Sequence, residues 1–298
     1  MPLRTHGMNS PMPTTTASTS NQELQALARE IRVWCVKMIT KAASGHPGGS
    51  LSLADLMAAF YGKLLKHDPK NPEWKERDRF ILSKGHGVPA LYAAMALSGY
   101  FSTDKLMTLR EYGSPLQGHP DRARLPGIEA STGSLGQGLS IAQGKALGMR
   151  LDNIDSMVYC IMGDGEIQEG QVWEAALSIP MHKLDHVCAI IDWNKGQIDG
   201  QVKDVMNIEP IADKFEAFGW NVISVDGHDV AAIVGAVEKA KANAQAKTGK
   251  PTMIVADTLK GKGVKLFEEG KNAWHGSAPN DAQSKAAIEE IMAAIKNS

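Results

Sequence analysis

The sequence predicts an α/β fold, with a mainly parallel sheet and helices on both of its faces. Apolar segments of strand length alternate with helical patterns in the second half of the chain. This alternation is typical of a parallel sheet that is buried on both sides. The chain has 298 residues, and it shows neither an internal repeat nor an inter-domain linker. Residues 21–298 are therefore predicted to form one domain, and residues 1–20 a flexible tail.

The predicted tail is rich in Pro, Ser and Thr and contains no acidic residue. It lacks the apolar core of a secretory signal. A start codon placed too early is the other interpretation, with Met8 or Met12 as the alternative start.

The first helix is predicted over residues 21–42. Ser20 and Glu23 have the spacing of a capping box, and apolar residues then recur at helical intervals. The glycine- and proline-bearing segment 42–50 is expected to break this helix. Further helices are predicted, in chain order, over 52–66, 88–99, 103–112, 138–150, 168–182, 209–218, 229–246 and 281–297.

Strands are predicted at five short apolar segments: 80–82, 157–162, 187–191, 220–225 and 252–256. A polar loop over 67–79 precedes the first strand, and a loop rich in Gly and Pro covers 113–138. Sheets of this class bind ligands in the loops that follow the carboxyl ends of their strands. The functional residues are therefore predicted in those loops.

Composition and charge exclude several function classes. The chain has 32 Lys and Arg against 33 Asp and Glu, without a basic block, which argues against general nucleic-acid binding. No apolar run approaches the roughly 18 residues that suggest a membrane span. Cys35, Cys160 and Cys188 each lie in an apolar stretch, which indicates buried thiols in a reducing compartment. The cytoplasm is the default location.

The strongest local signal is Gly163-Asp164-Gly165, which follows an apolar strand and precedes a helical pattern. Asn194 ends the next apolar strand. Parallel strands bring their carboxyl ends together, so the Asp164 carboxylate, the Asn194 amide oxygen and a carbonyl such as that of Gly196 suit Mg²⁺ or Ca²⁺. The glycines and the helix start can admit a diphosphate. On its own, the short motif more often indicates a simple turn, and Asn194 at the matching place on the next strand is what favours the metal site.

Four of the nine histidines, His46, His86, His119 and His275, lie in glycine-rich loops. Such loops place imidazoles beside a ligand, where they can donate, accept or shuttle a proton. This favours chemistry on a polyhydroxylated, carbonyl-bearing substrate. Zinc is a weaker alternative, because no two of these histidines have a short ligand spacing. His228 lies at a predicted helix start, where capping is at least as plausible as function.

The strand–GDG–helix–strand–Asn pattern resembles the thiamine diphosphate-binding motif. Together with the histidine loops, the chain resembles the amino-terminal, diphosphate-binding domain of transketolase from about Leu24 to Pro279. The segments that carry this resemblance are 44–49, 83–86, 117–120, 131–138, 163–170 and 274–276. The resemblance implies the thiamine diphosphate-binding fold. It also implies an enzyme of the pentose phosphate pathway that transfers a two-carbon ketol unit from a ketose, or ketose phosphate, to an aldose.

Carried over position by position, the resemblance implies that Asp164, Asn194 and the carbonyl of Gly196 bind the metal. It implies that thiamine diphosphate contacts His86, Gly133, Ser134, Leu135, Gly163, Asp164, Gly165, Glu166, Asn194 and His275.

The resemblance further implies that His46, His119 and His275 face the sugar and the reacting carbon as catalytic residues. Glu169 and Glu174 resemble acids of a subunit-interface network that links two active sites, and plain surface glutamates are the alternative.

The chain departs from the family pattern mainly in length. Ser134 stands where the family often has Pro, and Gly87-Val88 replaces the more usual small residues, but neither change removes a functional group. Transketolases continue into a pyrimidine-binding domain, which carries the glutamate that activates the cofactor, and into a carboxyl-terminal domain. The resemblance therefore implies a split enzyme, in which a second polypeptide completes this chain in an α2β2 assembly.

Three alternatives stay open at this point. The first is a specialised transketolase for an unusual ketose. The second is the α subunit of a 2-oxoacid dehydrogenase, against which the four histidine loops argue. The third is a non-catalytic subunit that kept the fold, against which the intact Asp164, Asn194 and histidines argue.

Overall fold

The computed structural model describes residues 19–293. Its α-helices are α1 (Asn21–Ala42), α2 (Pro47–Leu51), α3 (Ala54–Ala59), α4 (Val88–Leu97), α5 (Gln137–Leu151), α6 (Gly170–Met181), α7 (Val202–Val205), α8 (Ile211–Ala217), α9 (Val230–Gln245), α10 (Lys265–Gly270) and α11 (Asp281–Ala293). Its strands are β1 (Arg79–Leu82), β2 (Val158–Gly163), β3 (Val187–Trp193), β4 (Gly196–Gln197), β5 (Gly200–Gln201), β6 (Asn221–Asp226) and β7 (Thr252–Asp257).

Five parallel strands form one sheet in the order β1-β2-β3-β7-β6. The chain runs from β3 to the edge strand β6 and then returns to β7, beside β3. Strand order therefore reverses between β3 and β7, and such a switch point is where open α/β sheets bind ligands. Gly163 pairs with Asp192, and Asp192 with Ala256. The loops after β2, β3 and β7 consequently begin side by side.

The sheet separates two apolar layers. Tyr159 and Ile161 of β2 belong to the layer built with α1, α3, α4 and α9, whereas Val158 and Cys160 belong to the layer built with α5, α6 and α8. All four of these strand residues are fully buried. A strand buried on both faces needs apolar residues at successive positions, which confirms the predicted parallel sheet with helices on both sides.

Helix α1 begins where the capping box predicts. The Ser20 hydroxyl accepts a hydrogen bond from the Glu23 amide at 3.2 Å, and the Glu23 carboxylate accepts one from the Ser20 amide at 2.7 Å. These bonds satisfy N–H groups that a helix start leaves without partners. Residues 1–18 of the predicted tail lie outside the described residues, so the tail stays a prediction.

The five predicted strands are confirmed to within two residues at each end, whereas two predicted helices differ in form. The helix predicted over 52–66 is present from Ala54 to Leu64, where α3 continues directly into a π-helix, Phe60–Leu64. Helix α2 already begins at Pro47, within the segment expected to be a break, because proline suits the first turn of a helix. The helix predicted over 103–112 is a 3-10 helix, Thr103–Thr108. Arg110 follows with a φ of 61°, which an α-helix does not accommodate.

Smaller differences concern short elements, which hydrophobic periodicity does not resolve. The helix predicted from 168 begins at Gly170, after a 3-10 turn at Glu166–Gln168. Helices α7 and α10 and the β4–β5 hairpin are additions to the prediction. The helix predicted over 281–297 is confirmed to Ala293, and its last residues lie outside the described part.

The structure also describes the state of the three cysteines and the length and hydropathy of the helices. Cys35, Cys160 and Cys188 are buried free thiols, as predicted. None of the helices within residues 19–293 is both long and apolar enough to cross a membrane.

Candidate active site at the carboxyl edge of the sheet

The structure brings Asp164 and Asn194 to neighbouring positions at the carboxyl ends of β2 and β3. One Asp164 carboxylate oxygen accepts a hydrogen bond from the Gly165 amide at 2.8 Å, and the other accepts one from the Lys195 amide, one residue after Asn194. The Asn194 side-chain oxygen accepts a hydrogen bond from the Gly196 amide at 3.2 Å. The three predicted metal-binding residues therefore belong to one hydrogen-bonded loop pair.

The Asp164 carboxylate is a buried anion held by backbone amides. Burial, and then the nearby Asp192 carboxylate, raise the pKa of Asp164 to about 7, although the two amide bonds oppose this shift. Among the described residues its hydrogen-bond partners are backbone N–H groups and not a cation. A buried carboxylate in this setting gains from a divalent cation, and its oxygens, with those of an amide and a carbonyl, are ligands that Mg²⁺ and Ca²⁺ prefer.

A second buried carboxylate, Asp192, orients the Asn194 side chain. It is fully buried on β3, and it accepts hydrogen bonds from the Asn194 amide nitrogen at 3.0 Å and from the Ser52 hydroxyl at 2.8 Å. The Lys84 ammonium forms a buried ion pair with it. Although burial raises the pKa of Asp192, this ion pair outweighs the burial and lowers it overall. Because the Asn194 nitrogen is engaged, its oxygen is left to face Gly196.

Lys260, on the loop after β7, is a third charged group of the site. Like Lys84 and Asp192, it is not singled out by the sequence. Its ammonium is buried, and it donates to the Gly196 carbonyl at 3.0 Å and to Nδ1 of His275 at 2.8 Å. Burial, and then the charge of Lys84, lower the pKa of Lys260 to about 8. Both acceptors are neutral, so this buried cation is suited to an anionic ligand.

The absence of a side chain at Gly196 makes this approach of Lys260 feasible. A Cβ at Gly196 would lie 2.7 Å from the Asn272 side-chain oxygen and 3.1 Å from the Lys260 stem. Any other residue would displace one of them, which explains glycine next to the predicted metal ligands.

The four loop histidines converge although they come from distant parts of the chain. The His46 ring centroid lies 5.1 Å from that of His86, 6.4 Å from that of His119 and 5.5 Å from that of His275. His86 and His275 are 5.2 Å apart. Nδ1 of His46 and the side-chain oxygen of Asn272 are buried without a hydrogen-bond partner, as expected of atoms that face a ligand site.

All four imidazoles are held in the neutral form near pH 7. Burial is the main cause in each case, and neighbouring cations add to it. The pKa of His46 is lowered to about 4, with Arg110 as the second cause, and that of His275 to about 3, with Lys260 as the second cause. The pKa values of His86 and His119 are lowered as well. Neutral rings can both donate and accept protons at sugar hydroxyl and carbonyl oxygens.

The loop of residues 131–138 covers one side of the histidine cluster. Gly133 has a φ of 143°, and a Cβ there would lie 2.9 Å from the His119 ring. In the same loop, Ser134 is exposed and Leu135 is partly buried. Of the predicted cofactor-binding positions in this loop, Gly133 is therefore next to His119.

Glu166 connects the 131–138 loop to the end of β2. Its buried carboxylate accepts hydrogen bonds from the Gly136 and Gly163 amides, both at 3.0 Å, and from the Ser83 hydroxyl. It thus ties the 131–138 loop to β2. Contact of Glu166 with the cofactor stays a prediction.

Glu169 directly precedes α6 and packs against Gly136 of the 131–138 loop, whereas Glu174 lies in the middle of α6. Both are exposed, as are the apolar Leu177 and Met181 farther along the same helix. The structure therefore leaves both glutamates available to a neighbouring subunit.

Sequence reasoning missed the roles of Lys84, Asp192 and Lys260. Lys84 lies two residues before His86, and Asp192 lies two residues before Asn194. In both motifs, the second residue is the one that sequence reasoning recognised. A lysine or aspartate at the end of an apolar strand was the available signal, since burying such a charge requires a partner. Lys260 stands in a Gly- and Lys-rich loop that looks solvated in the sequence.

Comparisons with known proteins identify the family. A family model described as the thiamine diphosphate binding domain of transketolase matches residues 23–292. The 6-deoxy-6-sulfo-D-fructose transketolase subunit SqwG of Clostridium sp. (strain MSTE9) is 50% identical over 269 residues, which cover 90% of this chain and 96% of the relative. An apulose-4-phosphate transketolase subunit from Phocaeicola vulgatus is 38% identical over 275 residues, covering 92% and 96%.

Among solved structures, transketolase from Campylobacter jejuni matches with a TM-score of 0.83 and 38% sequence identity. The match covers 91% of this chain and 43% of that chain. The chain therefore spans less than half of that transketolase, and nearly the full length of the two relatives named as subunits.

Proposed function

The chain belongs to the transketolase family, and we propose that it is the N-terminal, thiamine diphosphate-binding subunit of a two-chain transketolase. The observation that carries this proposal is the joint presence of the Asp164–Asn194 loop pair and the four converging histidines. The near full-length match to relatives that are named as transketolase subunits supports it. Neither a 2-oxoacid dehydrogenase subunit nor a non-catalytic subunit is favoured.

The diphosphate of the cofactor would be held at the switch point of the sheet. Asp164, Asn194 and the Gly196 carbonyl would bind Mg²⁺ or Ca²⁺, and that cation would bind the diphosphate oxygens. Lys260, which donates only to neutral acceptors here, would contribute a second positive charge. When bound, thiamine diphosphate supplies the carbanion that attacks the ketose and the ring that stores the electrons of the broken carbon–carbon bond.

The chain's own contribution to the chemistry is proton handling by neutral histidines. The Lys260 ammonium donates to Nδ1 of His275, so the proton of this ring is on Nε2. His275 can therefore donate from Nε2, while the unpartnered Nδ1 of His46 is free for a substrate hydroxyl. His119 is the most exposed ring of the set and would meet the sugar first.

A partner chain would provide the pyrimidine-binding domain and the activating glutamate. We propose an α2β2 assembly, in which the exposed Glu169 and Glu174 of α6 take part in the subunit interface. The exposed Leu177 and Met181 on the same helix support an interface there. The buried free thiols support a reducing compartment, and we place the enzyme in the cytoplasm.

For the donor sugar, the relative that is 50% identical acts, by its name, on 6-deoxy-6-sulfo-D-fructose. We propose this anionic ketose as the first donor to assay. Activity with it would correspond to the alternative of a specialised transketolase for an unusual ketose. Ketose phosphates of the pentose phosphate pathway are the second candidate.

The test is reconstitution. The chain is purified with its co-purifying partner, and ketol transfer is measured with thiamine diphosphate, Mg²⁺ and each donor. We expect transfer by the complex and little by the chain alone. Robust transfer by the chain alone, or pyruvate decarboxylation by the complex, would contradict the proposal.

A further inference from the structure

Outside the active site, three side chains form a buried polar cluster that the proposed chemistry does not use. They are Arg32 of α1, Asp55 of α3 and His228, which precedes α9; we call them the Arg32–Asp55–His228 cluster. Arg32 and Asp55 form an ion pair with side-chain exposures of 8% each. Nδ1 of His228 lies 2.7 Å from the same carboxylate, and the His228 side chain is 14% exposed.

His228 does not serve as the helix cap that its position suggests. The Asp229 carboxylate caps α9 by accepting hydrogen bonds from the Ala231 and Ala232 amides at 2.8 and 3.2 Å. His228 instead reaches across the chain and accepts a hydrogen bond at Nε2 from the Leu259 amide, at 2.8 Å. An acceptor at Nε2 requires the proton on Nδ1, which is the tautomer that donates to Asp55.

The cluster holds the loop after β7 at two points. His228 binds the amide of Leu259, one residue before Lys260, and Arg32 donates from Nε to the carbonyl of Lys262, at 3.0 Å. Both side chains meet on Asp55. The two bonds therefore bracket Lys260, whose ammonium contacts the Gly196 carbonyl and His275 in the predicted cofactor site.

We propose that the Arg32–Asp55–His228 cluster is a clamp that positions Lys260, with His228 as a positioning residue and not a catalytic one. The long side chain of a lysine is flexible, so its ammonium binds an anionic ligand well only when the backbone is held in position. The clamp holds the backbone on either side of Lys260, through the Leu259 amide and the Lys262 carbonyl. This inference rests on the proposed function for the identity of the ligand, thiamine diphosphate, but not for the clamp.

The experiment compares three variants of the full chain, prepared with its partner chain. H228F keeps the ring volume and removes both hydrogen bonds, whereas H228Q keeps an acceptor of similar reach for the Leu259 amide. D229A removes the adjacent helix cap, so it is the matched control for lost stability at the same place in the fold.

Two measurements read the clamp without any cofactor. The first is the hydrogen-exchange rate of the Leu259 amide, and the second is the rate at which an amine-acylating reagent labels Lys260, followed by mass spectrometry. For H228F we expect both rates to rise about tenfold, as for one lost buried hydrogen bond. H228Q and D229A should stay within about threefold of the unmodified chain.

A third measurement reads the consequence. With Mg²⁺ present, the Kd for thiamine diphosphate should rise about three- to tenfold in H228F, while kcat at saturating cofactor stays within about twofold, because the clamp acts on binding. H228Q should restore the affinity.

Equal labelling of Lys260 in H228F and D229A would overturn the clamp and leave His228 a general stabiliser. Faster labelling in H228F with an unchanged Kd would overturn the positioning of Lys260 for the cofactor. If the unmodified complex binds no thiamine diphosphate, the proposed function fails, and the labelling and exchange rates still decide whether the clamp exists.

Discussion

The loop after β2 and the loop after β7 both reach the active site, but they differ in how their chemistry is encoded. The loop after β2 has Asp164 between two glycines, directly at the strand end, so its residues and their spacing already predict a metal site. The loop after β7 contributes Lys260, three residues past the strand, in a segment that looks like a solvated turn. The site therefore combines a local motif with a charge that only the fold brings in.

The largest effect is expected in the loop after β2. Asp164→Asn keeps the shape, but it replaces one of the two acceptor oxygens by an NH2 donor and removes the negative charge that a divalent cation requires. We expect activity of the reconstituted complex to fall by at least about 100-fold, since even residues behind metal ligands commonly cost 10- to 100-fold. The ketol-transfer assay measures the loss of activity, and isothermal titration with Mg²⁺ and thiamine diphosphate measures the cofactor affinity. Retained cofactor affinity would mean that Asp164 is only part of a turn.

Lys260→Met should have the next largest effect, because methionine keeps the side-chain stem and removes the charge. The affinity for thiamine diphosphate should fall about ten- to a hundredfold, as for a lost hydrogen bond between charged groups. The same titration measures it.

This variant also changes His275 in a defined direction. The Lys260 charge lowers the pKa of His275, so its removal should raise that pKa, as read from the imidazole signals in NMR. An unchanged affinity and an unchanged His275 signal would together show that the two loops do not act on one ligand.

The third prediction concerns pH. Asp164 must lose its proton to bind a cation, and its pKa is raised to about 7 in the free protein. Metal-dependent cofactor affinity should therefore increase with pH up to about 7, by at most about tenfold per pH unit, and decrease again above about pH 8, where Lys260 loses its charge. The Asp164→Asn variant should lack the increase up to about pH 7. Affinity that falls between pH 6 and 7 would contradict the assignment.

The same raised pKa has a consequence for stability without metal. The unfolded chain releases this proton near the ordinary carboxyl pKa of 3.8, whereas the folded chain keeps it until about pH 7. The contribution of Asp164 to stability is therefore full below about pH 4 and decreases as pH rises towards 7.

The smallest effect is expected outside both loops. Gly144 lies on an exposed turn of α5, and a Cβ there would meet no atom within 4 Å. Gly144→Ala should stabilise the isolated chain by about 0.5–1 kcal/mol, through helix propensity alone, without changing cofactor affinity. Chemical denaturation measures the free energy of unfolding. A loss of affinity here would show that the site is sensitive to changes far from both loops.

Much of the fold follows from local rules. The capping box fixes the start of α1, and continuous apolar segments identify all five strands of the main sheet. Short elements escaped the prediction: Pro47 begins a five-residue helix in a glycine segment, and the helix predicted after residue 103 is a 3-10 helix. Elements of four to six residues contain too few positions for a period to be recognised.

The sequence by itself determined which chemical groups this protein brings to its ligand. Asp164, Asn194 and the four loop histidines could be recognised because a strand end and a glycine loop place their side chains at a surface. Only the tertiary structure decided how those groups are charged and oriented. Lys84, Asp192 and Lys260 meet through the strand order, in which β7 returns beside β3. The pKa values of Asp192 and Lys260, and the hydrogen bonds of all three residues, depend on burial and on partners far away in the chain, which no local pattern specifies.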